Sequence, residues 1–304
     1  MAVRIPRPRG TFPYTKPTWP RGVPRPPAES KIGADFETAW ARKYPARLAR
    51  AMTMDAVARP LVKLVADPTL AGLDRIEDLE GPVIFAANHA SHVDTPLLLT
   101  SLPTRFRHKT VVAAGADYFF DTRWKGTLWA FAIAAIPVER TKVTRRSAEL
   151  AAELLAEGWN LVIFPEGGRT PDGWAQPFRG GAAFLAVRGN YPVVPVHIEG
   201  TRRILKKGGK SFRPSSTTIT FGTPLRPGQG EDTRALAARI EHAITALADE
   251  QATDWWTARR RAAANASPSL AGPDAGAWRR AWALGEDKRR TRRGPVWPPT
   301  STKS

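Results

Sequence analysis

The stretch "PVIFAANHASHVDTPLL", residues 82–98, decides how this chain is read. Its first six residues are apolar and short, the pattern of a strand buried on both faces. Asn88 and His89 end the run. Ser91 can then cap a helix over Ser91 to Leu102. Strand, polar loop and helix in succession make the first part of a βαβ unit. The loop at the carboxyl end of such a strand is where α/β sheets bind ligands, and His89 lies there. Asp94 follows five positions later and can accept the proton-bearing nitrogen of His89. That would fix the tautomer and leave the other ring nitrogen as a general base. The base would need a hydroxyl on its substrate, because no G-x-S-x-G elbow supplies a serine. Two other readings stand beside this one. His89, His92 and Asp94 could hold a metal, although no H-E-x-x-H or other metal spacing supports it. The stretch could also be a helix cap with two incidental imidazoles.

The same alternation continues downstream. "HKTVVAA" (108–114), "AAIPVER" (134–140), "NLVIFPEGG" (160–168), "YPVVPVHIEG" (191–200) and "TTITFGTPL" (217–225) read as strands. Trp124 to Ala134, Val143 to Gly158, Gly180 to Gly189 and Thr233 to Thr253 read as helices. The expected fold class is therefore α/β, with a mostly parallel central sheet flanked by helices. No internal repeat is visible.

Both ends differ from this middle. Of the chain's net charge of +18, residues 1–33 carry +6 and residues 259–304 carry +8. Eight prolines among scattered arginines make 1–33 a disordered or polyproline-like arm. Residues 259–304, rich in Arg, Ala, Gly, Pro and Ser, read as a mostly disordered basic tail with a short helix around Ala277–Leu284. Five of the eleven tryptophans fall in 255–304, and a Trp and Arg mixture suits a membrane interface or single-stranded nucleic acid. Between the ends, residues 34–258 form the expected domain. At its start Phe36, Trp40, Tyr44, Leu48 and Met52 recur every four positions, with Arg42, Lys43, Arg47 and Arg50 between them. Val57, Leu61, Leu64 and Val65 follow with Arg59 and Lys63. These are one or two amphipathic helices interrupted near Pro45 and Pro60, either packed on the core or lying in a membrane surface. No uninterrupted apolar stretch is long enough to span a bilayer, and the N-terminus lacks the apolar region of a secretory signal. Without cysteine there is no disulfide, thiol nucleophile or thiolate metal site.

Further motifs gather at the predicted strand ends. Arg140 closes "IPVERT" (136–141). "VIFPEGGRTPDG" (162–173) breaks a strand at Pro165 and offers Glu166, Gly167, Gly168 and Arg169. Arg179 precedes a glycine pair that opens a helix. Glycines let a backbone approach an anion, arginine forks onto phosphate, and a helix N-terminus favours negative charge.

In order and spacing, "NHASHVD", "IPVER", "FPEGGRT" and "YPVVPV" resemble the four motif blocks of the glycerolipid acyltransferases, the 1-acylglycerol-3-phosphate acyltransferase family with its N-H-x-S-x-x-D signature. The resemblance covers roughly residues 50–250. It implies transfer of a fatty acyl group from acyl-CoA or acyl-carrier protein to a lysophospholipid hydroxyl, most simply 1-acylglycerol-3-phosphate giving phosphatidic acid. His89 matches the family's base and Asp94 its orienting acid. Arg140 matches an arginine that contacts the acceptor phosphate, and Glu166 and Arg169 match the acceptor-binding block. Gly167 and Arg179 join the expected substrate-binding set, and backbone N–H groups near Gly167 and Gly168 are candidates for the thioester oxyanion. Gly168 stands where the family commonly has Thr, which bears on acceptor identity. His92 falls at a variable position.

No cofactor and no metal are expected beyond the acyl donor. The implied partners are the lysophospholipid, acyl-CoA, acyl-carrier protein as a further possible donor, and an anionic membrane surface. The implied place of work is the cytoplasmic face of a membrane, peripheral or monotopic, with no spanning helix. Other acceptors (another lysophospholipid, glycerol 3-phosphate, a glycolipid) and hydrolysis by water remain as alternatives. A nucleic-acid-binding protein is a distant one, since the charge lies in the ends and no basic recognition helix is visible.

Overall fold

Short apolar strands need helices on both faces to bury them, and the computed structural model has that arrangement. It describes residues 33–139, 145–170, 172–209 and 211–271. In chain order the elements are α1 (Tyr44–Thr53), α2 (Arg59–Ala66), β1 (Pro68–Ala71), β2 (Ile84–Ala87), α3 (Asp94–Ser101), α4 (Thr104–Arg107), β3 (Thr110–Gly115), α5 (Ala116–Phe119) and α6 (Arg123–Ile133). There follow β4 (Ala135–Val138), α7 (Arg145–Ala156), β5 (Asn160–Ile163), α8 (Gly181–Gly189), β6 (Val193–Glu199), α9 (Thr201–Ile204), β7 (Thr217–Phe221), α10 (Thr233–Ala252) and α11 (Trp255–Ala263).

The strands form one sheet in the order β1-β7-β6-β2-β5-β3-β4. Every pairing is parallel except β6 with β7. β2 therefore lies inside the sheet between β5 and β6, and the carboxyl ends of β2 to β6 share one edge. The period of two divides the core between the faces. Phe85 and Ala87 join the cluster that includes α3, while Ile84 and Ala86 join the one that includes α7, α8 and α10. The buried Asn160 side chain locks the opposite edge. Its Oδ1 accepts from Val83 N–H (3.0 Å) and its Nδ2 donates to the carbonyls of Phe106 and Lys109.

Asp232 and Asp254 cap α10 and α11, each accepting from the N–H three residues on, as short polar side chains do at helix starts. α11 carries the ordered chain past residue 258, because Arg261 pairs with the buried Asp249 of α10 at 2.8 Å. The expected helix around Ala277–Leu284 lies outside the described residues.

The N-terminal segment departs most from its sequence pattern. The four-residue spacing of Phe36, Trp40 and Tyr44 does not form one helix, since Lys43 is extended and α1 begins after it. The helical pattern breaks near both prolines, as expected. Pro45 sits in the first turn of α1, just after the extended Lys43, where a missing N–H costs nothing, and a π-helical turn, Met54–Ala58, joins α1 to α2 just before Pro60. Tyr44, Leu48, Met52, Val57, Leu61 and Leu64 all face outward, Leu64 being 78% exposed. Arg50, expected on the polar face, is buried. Among the described residues, no helix is long and apolar enough to cross a membrane.

Candidate active site

β2 ends at Ala87, and the next two residues are fixed from both sides. The Asn88 side chain reaches β6, accepting from Ile198 N–H (2.7 Å) and donating to Ile198 C=O (2.9 Å). This prolongs the ladder by one side chain and sets where the chain leaves the sheet. His89 follows, with its side chain 13% exposed.

Asp94 is the first residue of α3 and is fully buried. Its Oδ2 accepts from the backbone N–H of Ala90 (2.7 Å) and Ser91 (2.8 Å), and lies 2.8 Å from His89 Nδ1. An oxygen already accepting two N–H bonds has no proton to give, so Nδ1 donates and Nε2 is left with its lone pair. The imidazole also stacks on Phe164, ring centroids 4.1 Å apart. Ser91, expected to cap the helix, instead donates its hydroxyl to Leu205 C=O (2.7 Å) and accepts from Val93 N–H (3.2 Å).

The loop after β5 grips the same histidine. β5 and β2 are neighbours, so their carboxyl-end loops meet. Glu166, buried, accepts from His89 N–H through Oε1 (2.7 Å) and from Gln176 N–H through Oε2 (2.8 Å). Thr170 N–H donates to His89 C=O (2.9 Å). Both backbone groups of His89 are thus engaged by the segment that carries the third sequence motif. Gln176, which the sequence did not single out, donates its side-chain amide to the carbonyls of Gly168 and Arg169.

Gly167 has φ +70, a conformation that favours glycine, and a Cβ there would lie 2.8 Å from Arg179 Nε. Its N–H donates to Phe164 C=O (3.0 Å). That bond engages it in the turn and removes it as an oxyanion donor, which leaves Gly168 as the candidate. Arg169 lies over the Tyr118 ring at 5.9 Å. Tyr118 also stacks on His92 and shares a 3.1 Å hydrogen bond with its Nε2. Burial, then the positive charge of Arg169, lowers the His92 pKa to about 4, so this imidazole is neutral beside the site. Arg140 lies outside the described residues. Among the described residues, no group of three or more His, Cys, Asp or Glu is placed to hold a metal ion.

Two apolar cavities open onto His89. One runs between β3, β5 and the third-motif loop, past Val112, Phe164, Gly168 and Arg179. The other lies under α1 and α6 and includes Arg50, Met54, His92 and Trp129. His89, Thr95, Phe119 and Ile133 belong to both.

An open α/β sheet with a His–Asp pair at its carboxyl edge, gripped by a glycine- and arginine-bearing loop, defines the class. Residues 67–199 match the model of the Acyltransferase family. It is 29% identical over 181 residues to a 1-acyl-sn-glycerol-3-phosphate acyltransferase of Chlamydomonas reinhardtii, covering 56% of this chain and 50% of that one. It is 28% identical over 177 residues to the alpha form of Homo sapiens, covering 57% and 61%. The chain therefore spans half to three fifths of the length of these curated relatives. Its fold resembles the crystal structure of the 1-acyl-sn-glycerophosphate acyltransferase PlsC of Thermotoga maritima. The TM-score is 0.54 at 24% identity, over 72% of this chain and 87% of that one.

Proposed function

We propose that the chain transfers a fatty acyl group from a thioester donor, acyl-CoA or an acyl-carrier protein, to the free hydroxyl of 1-acylglycerol-3-phosphate, giving phosphatidic acid. The observation that carries this reading is His89. Its Nδ1 is held by a buried carboxylate, its backbone is gripped on both sides, and its Nε2 is free of either.

Nε2 takes the proton as the acceptor oxygen attacks the thioester carbonyl. Asp94 stabilises the imidazolium that forms. The tetrahedral oxyanion needs a donor, and the N–H of Gly168, a residue that lines the cavity, is the candidate. Collapse breaks the carbon–sulfur bond, and the departing thiolate takes the proton back from His89. Arg169 and Arg179 supply positive charge for the phosphate-bearing substrates, together with Arg140. Glu166 acts by fixing His89 rather than by touching substrate. The substrates are lipids, and the outward apolar residues of α1 and α2 with their Lys and Arg neighbours suit an anionic membrane surface.

The test is release of free thiol from acyl-CoA with 1-acylglycerol-3-phosphate, product identity being read by lipid mass spectrometry. His89→Ala should lose about 10²–10⁴-fold in kcat, the usual worth of a general base, with its melting temperature kept. Near-parental turnover in folded His89→Ala would refute the assignment. Free fatty acid as the main product would favour hydrolysis instead.

A further inference from the structure

Arg50 breaks the rule that a buried cation has a partner. It is 7% exposed, on the inner side of α1. Its Nη1 donates to Ala41 C=O at 2.7 Å, but its Nη2 is buried with no hydrogen-bond partner among the described residues. Arg42 and Arg47 stand close enough to disfavour its charge further, and with burial, the larger cause, they bring its pKa down to about 10. The guanidinium is still charged at neutral pH. An apolar side chain here would be easier to bury, so the unmet donor has the character of a ligand group. It lines the α1–α6 cavity, walled mostly by apolar groups such as Met54, Leu128, Trp129 and Ala132, and His89 lines that cavity too.

We propose that this cavity seats the acceptor lysophospholipid, with Arg50 Nη2 donating to an oxygen of its glycerophosphate and the apolar wall of α6 taking its acyl chain. This rests on the function proposed above and assigns the two cavities within it. The other cavity holds Gly168, the oxyanion candidate, and so takes the thioester and its chain. His89, common to both, then stands between the attacking hydroxyl and the carbonyl. Arg169, beside His92 on the Tyr118 ring, adds positive charge near the acceptor's side.

The test is equilibrium binding to the full chain without any acyl donor, so it does not depend on turnover. The probes are 1-oleoyl-lysophosphatidic acid and 1-oleoylglycerol, which lacks the phosphate, followed by calorimetry in detergent. The parent should prefer the phosphate-bearing lipid. In Arg50→Met that preference should fall by about ten- to a hundredfold, the worth of a hydrogen bond to a charged group, while monoacylglycerol binding holds. Its melting temperature should fall by no more than a few degrees, the worth of the lost Nη1 bond to Ala41 C=O. Arg50→Lys should restore part of the preference. Ala132→Phe, which narrows the apolar wall, should weaken both lipids and spare a non-hydrolysable acyl-CoA thioether. An unchanged lipid preference in folded Arg50→Met overturns the proposal. So does loss of the thioether's affinity, rather than the lysolipid's, in Ala132→Phe. If the parent binds as described but transfers no acyl group, the catalytic reading fails and the binding site stands.

Discussion

At the scale of single residues, the imidazole of His89 is positioned by three neighbours. Asp94 holds Nδ1, Phe164 covers one ring face and Glu166 holds the backbone N–H. Asp94→Asn places an amide where two backbone donors and the ring converge, so orientation of the ring is lost. kcat should fall within about 10²–10⁴-fold, with the acceptor KM changing far less; steady-state kinetics on both substrates would show it. Glu166→Ala leaves the N–H groups of His89 and Gln176 without acceptors. Each unmet buried donor costs about 1–3 kcal/mol, so urea unfolding should show a loss of that order as well as reduced turnover. A variant that lost activity with no loss of stability would put Glu166 on the substrate instead. His92 makes a pH prediction. Its folded pKa of about 4 lies below its ordinary 6.5. Between these values the unfolded chain binds the proton and the folded chain does not. Stability is therefore full above 6.5 and falls as the pH drops toward 4. The buried His197 is shifted the same way by desolvation. His92→Gln should reduce the drop in urea midpoint between pH 7 and pH 5; an unaltered drop would assign it elsewhere.

At the scale of elements, α1 and α2 are docked by polar bonds as well as by apolar packing. Arg50 bonds Ala41 C=O, Asp55 pairs with Arg107 (2.6 Å) and Ala66 C=O accepts from Thr217 (2.8 Å). Met54, Val62 and Ala66 turn inward, whereas Leu48, Leu61 and Leu64 remain outside. This outward face predicts that Leu64→Glu and Leu48→Glu leave the melting temperature within a degree or two. Both should weaken sedimentation with phosphatidylglycerol vesicles severalfold, through lost apolar insertion and added repulsion. Retained vesicle binding in the double variant would move the membrane contact off these helices. Helical periodicity alone could not have told which face is buried, because an apolar stripe reads the same toward a core or toward a lipid surface.

At the scale of the whole molecule, most of the net charge falls in the sequence outside the strands and helices of the sheet region. Residues 272–304 hold eight Lys and Arg against three Asp and Glu, a net of +5. Ending the chain after Ala271 keeps α11 and its ion pair with α10. Turnover in detergent micelles should then be unchanged, while affinity for anionic vesicles and its salt dependence both decrease. Truncation at 258 should also lower stability, since it removes Arg261 from the buried Asp249. Equal stability of the two truncations would show that α11 adds nothing to the domain.

By itself the sequence determined the strand–helix alternation, the mostly parallel sheet and the placing of His89 just beyond a strand, because buried strands and amphipathic helices carry periods that local residues dictate. It missed β1, whose four residues are too short and too mixed to carry a period. The tertiary structure alone decided that Glu166 holds the histidine's backbone, that the Gly167 N–H is engaged in its own turn, and that Arg50 lies inside. Those outcomes depend on which loops meet across a sheet and which helix face meets a cavity. Such contacts join residues far apart in the chain, and no local pattern encodes them.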